Sequence, residues 1–566
     1  MQPLMIQTSR GAAQGAADSN GPTATAHSAE KAPAKQATSH AEVVLSGGNG
    51  GTILTERDCP EALGFAFSNR KKWLTLTIIF LVQTSMNLNA SLYANAQSGI
   101  ARDLNVSPQS AVSGAAVFLI TYAFGCELWA PWSEEFGRKP VLQCSLFLVN
   151  LCCIPVGTGF YHKSFSGVLA GRALGGLFSA GGSVTLGMVA DMFDTEHQEH
   201  PLAFIVLSSV GGSIVGPIVG GFVEDNCPWQ WAIWIQLLFG AFVQLLHLLL
   251  VPETRATVLL GRHAKKLRAS GDRPDVYGPS ELKTWREYLV PRELVSLWLR
   301  PFHMFATDLI VLVLSLLSGF SDALIFMQIQ SLSRVFKLYG FTNTQNGLAF
   351  ISIGLAYLIA YALYFPVIRR NRALRARQPA DERAQYEARL WWLVYTAPLL
   401  PIGLVVFGCT GSPAVAHWAV PMLGCVLIGV ANYTVYMATI DYMVAAYGPY
   451  SASATGGNGF ARDFLAGLLT WAAQPYYDAF THGGRDPDPH RGLAIANGVL
   501  AAIALLLVAA TFAVYRTGPY LRRHSPFAQS LARAAAAENA SSPVQGPQEA
   551  EEIRSFAAEP SVSRVV

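Results

Sequence analysis

The sequence predicts an all-α membrane protein with twelve transmembrane helices in two six-helix halves. Three observations carry this: scarcity of charge, the spacing of the apolar runs, and the placing of Lys and Arg between them. Of 566 residues, 51% are hydrophobic and only 14% charged, against roughly 25% charged in soluble domains. A water-soluble fold of this size would be short of surface charge. A formal charge of +3, with no basic stripe carrying interleaved aromatics, argues against a nucleic-acid partner.

A bilayer core about 30 Å thick needs roughly twenty apolar residues in a helix. Six such runs fall near 73–92, 111–131, 141–161, 164–190, 202–223 and 232–251, and six more near 302–326, 345–367, 391–409, 415–441, 455–477 and 493–515. The divisions are a disordered cytoplasmic tail (1–70), an N-terminal six-helix bundle (71–251), a charged cytoplasmic loop (252–300), a C-terminal six-helix bundle (301–516) and a second disordered cytoplasmic tail (517–566). No apolar segment precedes the first run, so no cleavable signal peptide is expected. The clusters Arg70–Lys72, Arg138–Lys139, Arg262–Arg268, Arg369–Arg377 and Arg522–Arg523 all fall on one side of an even-span layout, which the positive-inside rule makes the cytoplasm. The loops at 93–110, 224–230 and 478–491 then face outward, and the sequon Asn105-Val106-Ser107 is open to glycosylation. The eight cysteines show no CxxC and no His pair at ligand spacing, so neither a metal nor a cofactor is expected.

Between runs 2 and 3 the chain reads Ala130-Pro-Trp-Ser-Glu134-Glu-Phe-Gly137-Arg138-Lys139-Pro140. A Gly corner with a carboxylate four residues before a basic pair can pin two helix ends, and Glu134, Arg138 and Lys139 are expected to form a cytoplasmic charge clamp. In run 5, Gly212, Gly216 and Gly220 recur every four residues. They therefore share one helix face and admit a close neighbour, while Pro217 removes a backbone bond and favours a bend.

These strings, with Arg172-Ala-Leu-Gly-Gly in run 4, Gly216-Pro217-Ile-Val-Gly220-Gly221 in run 5, Pro252-Glu-Thr-Arg255 after run 6, and Tyr442–Tyr447 followed by Ser451–Ala454, Asn458 and Arg462, resemble the major facilitator superfamily. "SEEFGRKP" and the glycine–proline run are similar to the fungal twelve-span drug:proton antiporters. The resemblance covers residues 73–515. It implies alternating access, a cytoplasmic gate at Glu134, Gly137, Arg138, Lys139 and Arg462, and a leak-limiting run-5 helix. It also implies partners limited to the lipid bilayer, a small-molecule substrate and protons, in a monomer of the plasma membrane or, alternatively, the vacuole.

Coupling to protons needs an intramembrane charge that can be taken up and released. Charges inside the bilayer are costly and usually functional, which singles out Glu127, Arg172, Asp322 and Asp441 for the proton or substrate pathway. Asp322 is expected in the outer half of run 7, and Arg172 is expected to act on a nearby acid. The implied function is export of an amphipathic or cationic small molecule, such as a drug, toxin, secreted metabolite or glycolipid, or polyamine. Uptake of a nutrient is the alternative. A membrane-embedded receptor or enzyme is the third reading; no GxSxG, HExxH, P-loop or GxGxxG occurs, which argues against an enzyme and against ATP-driven coupling, and a receptor would not require two sets of six spans.

Overall fold

A computed structural model describes residues 42–44 and 50–525, except 160, 180, 195–196, 280, 282–290, 379–380, 448–450 and 482–488, with isolated positions beyond 525. The helices are α1 (Asn69–Asp103), α2 (Pro108–Glu135), α3 (Arg138–Thr158), α4 (Phe165–Phe178), α5 (Gly181–Met192), α6 (Glu199–Asn226), α7 (Gln230–Leu250) and α8 (Ala256–Ser270). The C-terminal part continues with α9 (Pro291–Thr307), α10 (Leu309–Leu338), α11 (Asn343–Ala349), α12 (Ile351–Arg377), α13 (Glu382–Gln385), α14 (Trp391–Thr396), α15 (Leu399–Thr410), α16 (Ala419–Tyr447), α17 (Ser451–Phe480) and α18 (Pro489–His524).

Local chemistry sets the boundaries. Ser107 caps α2 by accepting from the Ser110 amide, with Pro108 in the first turn, where its missing N–H costs nothing. Gly137, at φ +101°, separates α2 from α3 in a conformation that L side chains rarely adopt. Thr342 and Gln345 close a reciprocal capping box at α11. Asp308 caps α10 by accepting from the Ile310 and Val311 amides at 3.0 and 3.4 Å, so the seventh apolar run starts at residue 309 rather than 302.

Among the described residues, nine helices or helix runs are long and apolar enough to cross a bilayer. Two of the long helices that fall short, α1 and α17, do so because of what they bury. Gln83, Ser85, Asn87, Asn89, Ser91 and Gln97 of α1 are buried, as are Asn458, Arg462 and Asp463 of α17. Such groups face the protein interior because lipid offers them no partner. The opposite case is α7, which leaves Leu238, Phe242, Leu245 and Leu249 exposed, as a lipid-facing helix should.

The end of the molecule that carries α8, here the loop face, departs from expectation. Residues 50–68, expected within a disordered tail, are ordered against the central loop. Strand β1 (Glu42–Val44) pairs antiparallel with β2 (Gly50–Ile53), and β2 pairs parallel with β3 (Val276–Tyr277). Leu54, Cys59 and Leu63 pack with Leu260 and Ala264 of α8 and with Val276 in a small separate core. Apolar burial explains the order: these few side chains find partners only in the central loop. At the other end, residues 517–524 of the expected C-terminal tail belong to α18, and most of that tail lies outside the described residues.

Candidate functional site

The Gly137 corner is enclosed by groups from three segments. The Glu253 carboxylate accepts from the Arg138 and Lys139 amides at 2.9 and 3.2 Å, and from the Thr254 and Arg255 amides. It thereby caps α3, whose first amides have no helical partner. The Arg138 guanidinium, buried, donates to Asp191 Oδ2 at 3.0 Å and to Ser133 Oγ at 2.6 Å. Glu134 lies farther off at 3.9 Å. Lys139 Nζ donates to the Leu248 carbonyl. The expected clamp is therefore centred on Asp191 and Glu253, with Glu134 secondary because it is half-exposed and its partner is engaged elsewhere.

A second charged group sits between the chain's two parts at the same face. Buried Glu199, the first residue of α6, accepts from Arg372 Nε at 2.6 Å and Arg375 Nη2 at 2.7 Å, both on α12. Arg389 lies 3.5 Å from Glu199 and donates to Asp441 Oδ1 at 2.5 Å. Asp441, singled out from the sequence for the proton or substrate pathway and lying at the end of its apolar run, joins this inter-part latch through Arg389. Its position late in α16 brings it level with the loop between α12 and α14.

The centre holds Asp322, Arg462 and Asp463, with Glu127 close by. Arg462, read from sequence as a gate residue, lies twelve residues into α17, fully enclosed. It donates to Asp463 Oδ1 and Oδ2 at 3.1 and 3.2 Å, stands 3.8 Å from Asp322 Oδ2, and lies 4.5 Å from the Tyr436 ring centre. Asp322 sits at the middle of α10 rather than in its outer half, because the helix begins at residue 309. Beside it, Asn432 donates to Ser321 Oγ and accepts from Tyr357. A cavity of about 400 Å³ is lined by Glu127, Tyr436, Ile440, Arg462 and Asp463 and reaches Glu134 and Arg138 at the loop face. Glu127 of α2 abuts Gly456 of α17, where a Cβ would lie 2.7 Å from its carboxylate. Sequence reasoning missed Asp463, although an acid in a run already read as membrane-spanning was the signal to follow.

Arg172 is buried beside carbonyls and rings, not beside an acid. It donates to the Gly114 and Asn89 carbonyls and to Asn89 Oδ1 at 3.1, 2.9 and 2.7 Å. Its guanidinium lies between Tyr93 and Phe118, 4.4 and 4.1 Å from the ring centres. The expectation that it acts on a nearby carboxylate fails for that reason: α1 and α2 present no acid at its depth, and cation–π contacts compensate its burial.

The run-5 glycines meet α1. A Cβ on Gly212 would lie 2.7 Å from that of Asn87, on Gly216 2.7 Å from that of Ser91, and on Gly220 2.8 Å from that of Asn95. Gly221 instead meets α11: a Cβ there would lie 2.6 Å from the Asn343 carbonyl and 3.2 Å from Gly347 Cα. At Gly347 a Cβ would in turn lie 2.6 Å from the Pro217 carbonyl. Nearby, Thr344 donates through its amide and hydroxyl to Asp225 at 2.8 and 2.6 Å. Asn105 is exposed at φ 51°, and the sequon's Ser107 is engaged in capping α2. The absence of metal-ligand spacing in sequence did not foresee one grouping: the fold brings Cys59, Glu61 and His263 within 4.8 Å of one another.

Long apolar helices around a central cavity lined by charged side chains define a multi-span membrane protein. The family model described as Major Facilitator Superfamily matches residues 77–470, and the chain belongs to that superfamily; it is a transport protein rather than an enzyme. The chain is 28% identical over 467 residues to the MFS-type transporter kojT of Aspergillus flavus, covering 80% of this chain and 78% of that one. It is 26% identical over 466 residues to the efflux pump radE of Floropilus chiversii, covering 81% and 83%. Among solved structures, the xylose transporter XylE from E. coli in a partially occluded inward-open conformation shares the fold, with TM-score 0.53, 12% identity, and 78% and 98% of the two chains covered.

Proposed function

We propose that the chain is a proton-coupled exporter of a cationic or amphipathic small molecule, of the fungal drug:proton antiporter type. In this reading twelve crossings form two six-helix halves that alternate about the central cavity. The observation that carries it is a charge imbalance: Asp463 and Asp322 share one guanidinium, Arg462, while a third carboxylate, Glu127, lines the same cavity as Arg462 and Asp463. Uncompensated charge there is costly. The site therefore holds protons when empty and releases them when a cationic group takes their place, which is the exchange that antiport requires. The relatives' printed names, which include an efflux pump, support the direction of transport. Positive-inside placement makes the loop face cytoplasmic, and the plasma membrane is the membrane proposed.

A proton crossing 100 mV releases about 2.3 kcal/mol, and each pH unit adds about 1.36 kcal/mol. That is enough for a gradient on the order of a hundredfold. The test uses purified protein in proteoliposomes with an imposed pH gradient and radiolabelled tetraphenylphosphonium or spermidine. Gradient-driven accumulation should vanish with a protonophore and in Asp463→Asn. Accumulation indifferent to the protonophore overturns the coupling, and proton flux in the same direction as the cation makes the protein a symporter instead.

A further inference from the structure

Among the described residues outside the membrane part, one cluster of ligating side chains is left unused by transport. Cys59 begins the short turn Pro60–Ala62, Glu61 lies within that turn, and His263 projects from α8 beside the buried Leu260 and Ala264. One sulfur, one carboxylate oxygen and one ring nitrogen all lie within 4.8 Å of one another. In a tetrahedral Zn²⁺ site with bonds of about 2.0–2.3 Å, such atoms stand about 3.4–3.8 Å apart. Side-chain rotations of about 1 Å would close the set around an ion, with one position left for water.

The chemistry of the set agrees. A thiolate and a carboxylate balance a divalent charge, imidazole is neutral, and the mixture of sulfur, nitrogen and oxygen suits Zn²⁺ better than Mg²⁺ or Ca²⁺. Cys59 is buried, Glu61 is exposed and His263 is half-buried, so the thiol is shielded while the site is reached from solvent. Charged groups facing the thiol are Glu61, Asp58 and Arg273. Asp58 is engaged with the Thr55 amide and hydroxyl at 2.8 and 2.7 Å, which leaves Glu61 as the free carboxylate. Arg273 opposes a cation, as one charge against two.

The position gives the ion something to do. Just beyond Glu61, Gly64 rests on the Asp191 backbone, where a Cβ would lie 2.6 Å from its carbonyl oxygen. Asp191 is the acid that holds Arg138, and α8 follows directly on Thr254 and Arg255, which also contact Asp191. We propose that Cys59, Glu61 and His263 bind Zn²⁺, stapling the N-terminal segment to α8 and stiffening the Arg138 clamp beneath them.

Full-length protein purified in detergent, stripped with chelator and dialysed against Zn²⁺, should take up about one ion per chain. Co²⁺ in its place should give a thiolate-to-metal charge-transfer band. The band should disappear in Cys59→Ser and in His263→Gln, which nearly keeps the side-chain volume, and persist in Cys144→Ser. Glu61→Gln should weaken binding at least 10-fold, the low end of what outer-shell partners alone contribute. Zn²⁺ should slow proteolysis within residues 50–66 of the wild type and not of His263→Gln. Absence of stoichiometric uptake, or a band that survives Cys59→Ser, overturns the site. Uptake with unchanged proteolysis overturns the staple.

Discussion

Glu199→Gln removes the charge at the hub of the loop-face latch while keeping the shape. The wild-type carboxylate accepts two charge-assisted bonds, at 2.6 and 2.7 Å, from Arg372 and Arg375, with Arg389 at 3.5 Å. Hydrogen bonds to charged groups contribute about 1.5–3 kcal/mol each, and an amide can keep one of the two while leaving three guanidiniums less compensated. The latched arrangement should therefore lose about 2–4 kcal/mol. At about 1.4 kcal/mol per tenfold, its population relative to the open one should fall about 30- to 1,000-fold. Spin labels at the exposed positions His197 and Arg377, in a background with the other cysteines replaced, report the separation of α6 from α12 by pulsed electron resonance. Wild type should give a short, narrow distance distribution and Glu199→Gln a longer, broader one. An unchanged distribution in a folded variant refutes the idea that Glu199 holds the two parts together.

Replacing Arg138 by Ala should remove the nearest charged donor of Asp191, leaving it Thr254 and Arg255, and the donor to the Ser133 hydroxyl, and lower transport well below wild type at equal membrane abundance; equal rates count against the clamp. Gly216→Ala should lower the melting temperature in detergent by forcing α6 off Ser91, at a cost of about 1–3 kcal/mol. Gly211→Ala, where a Cβ meets nothing within 4 Å, should be neutral or stabilising by up to about 1 kcal/mol. The Arg268 guanidinium bonded to Glu281 holds that carboxyl below its ordinary range. A depressed carboxylate contributes stability above its unfolded value near 4.3 and loses it as pH falls through the folded one. Hydrogen exchange at 276–278 should accordingly rise between about pH 4 and the folded value, and Glu281→Gln should flatten that dependence.

What the sequence reveals and what it hides divide along a physical line. Features that repeat along one helix are legible: the glycines four apart in α6, the Gly corner beside Arg138, and the apolar runs themselves. Features made by residues far apart in the chain are not. Glu199 looks like a loop acid and Arg372, Arg375 and Arg389 like ordinary positive-inside charge, because nothing local shows that α6 and α12 converge. Asp463 was legible in principle and lost behind its neighbour Arg462. Asp322 was found but displaced, because Asp308 was not recognised as a helix cap and α9 was merged with α10. Cys59 and His263 become neighbours only through a small core at the loop face that no periodicity announces.

The contact between Gly221 and Gly347 has a mechanical meaning. With no side chain on either residue, two backbones meet almost bare, and a rotation there drags nothing through a neighbour. Glu199 lies at the other end of the same helix, about 22 residues or about 33 Å away at 1.5 Å per residue. Treated as a fulcrum and a lever, a turn of about 15°, typical of rigid-body switching, sweeps Glu199 through about 8–9 Å. That stroke is far beyond the reach of any salt bridge. On that geometry a small tilt at the glycines would be enough to part the latch, the stroke growing with the length of α6 between Gly221 and Glu199.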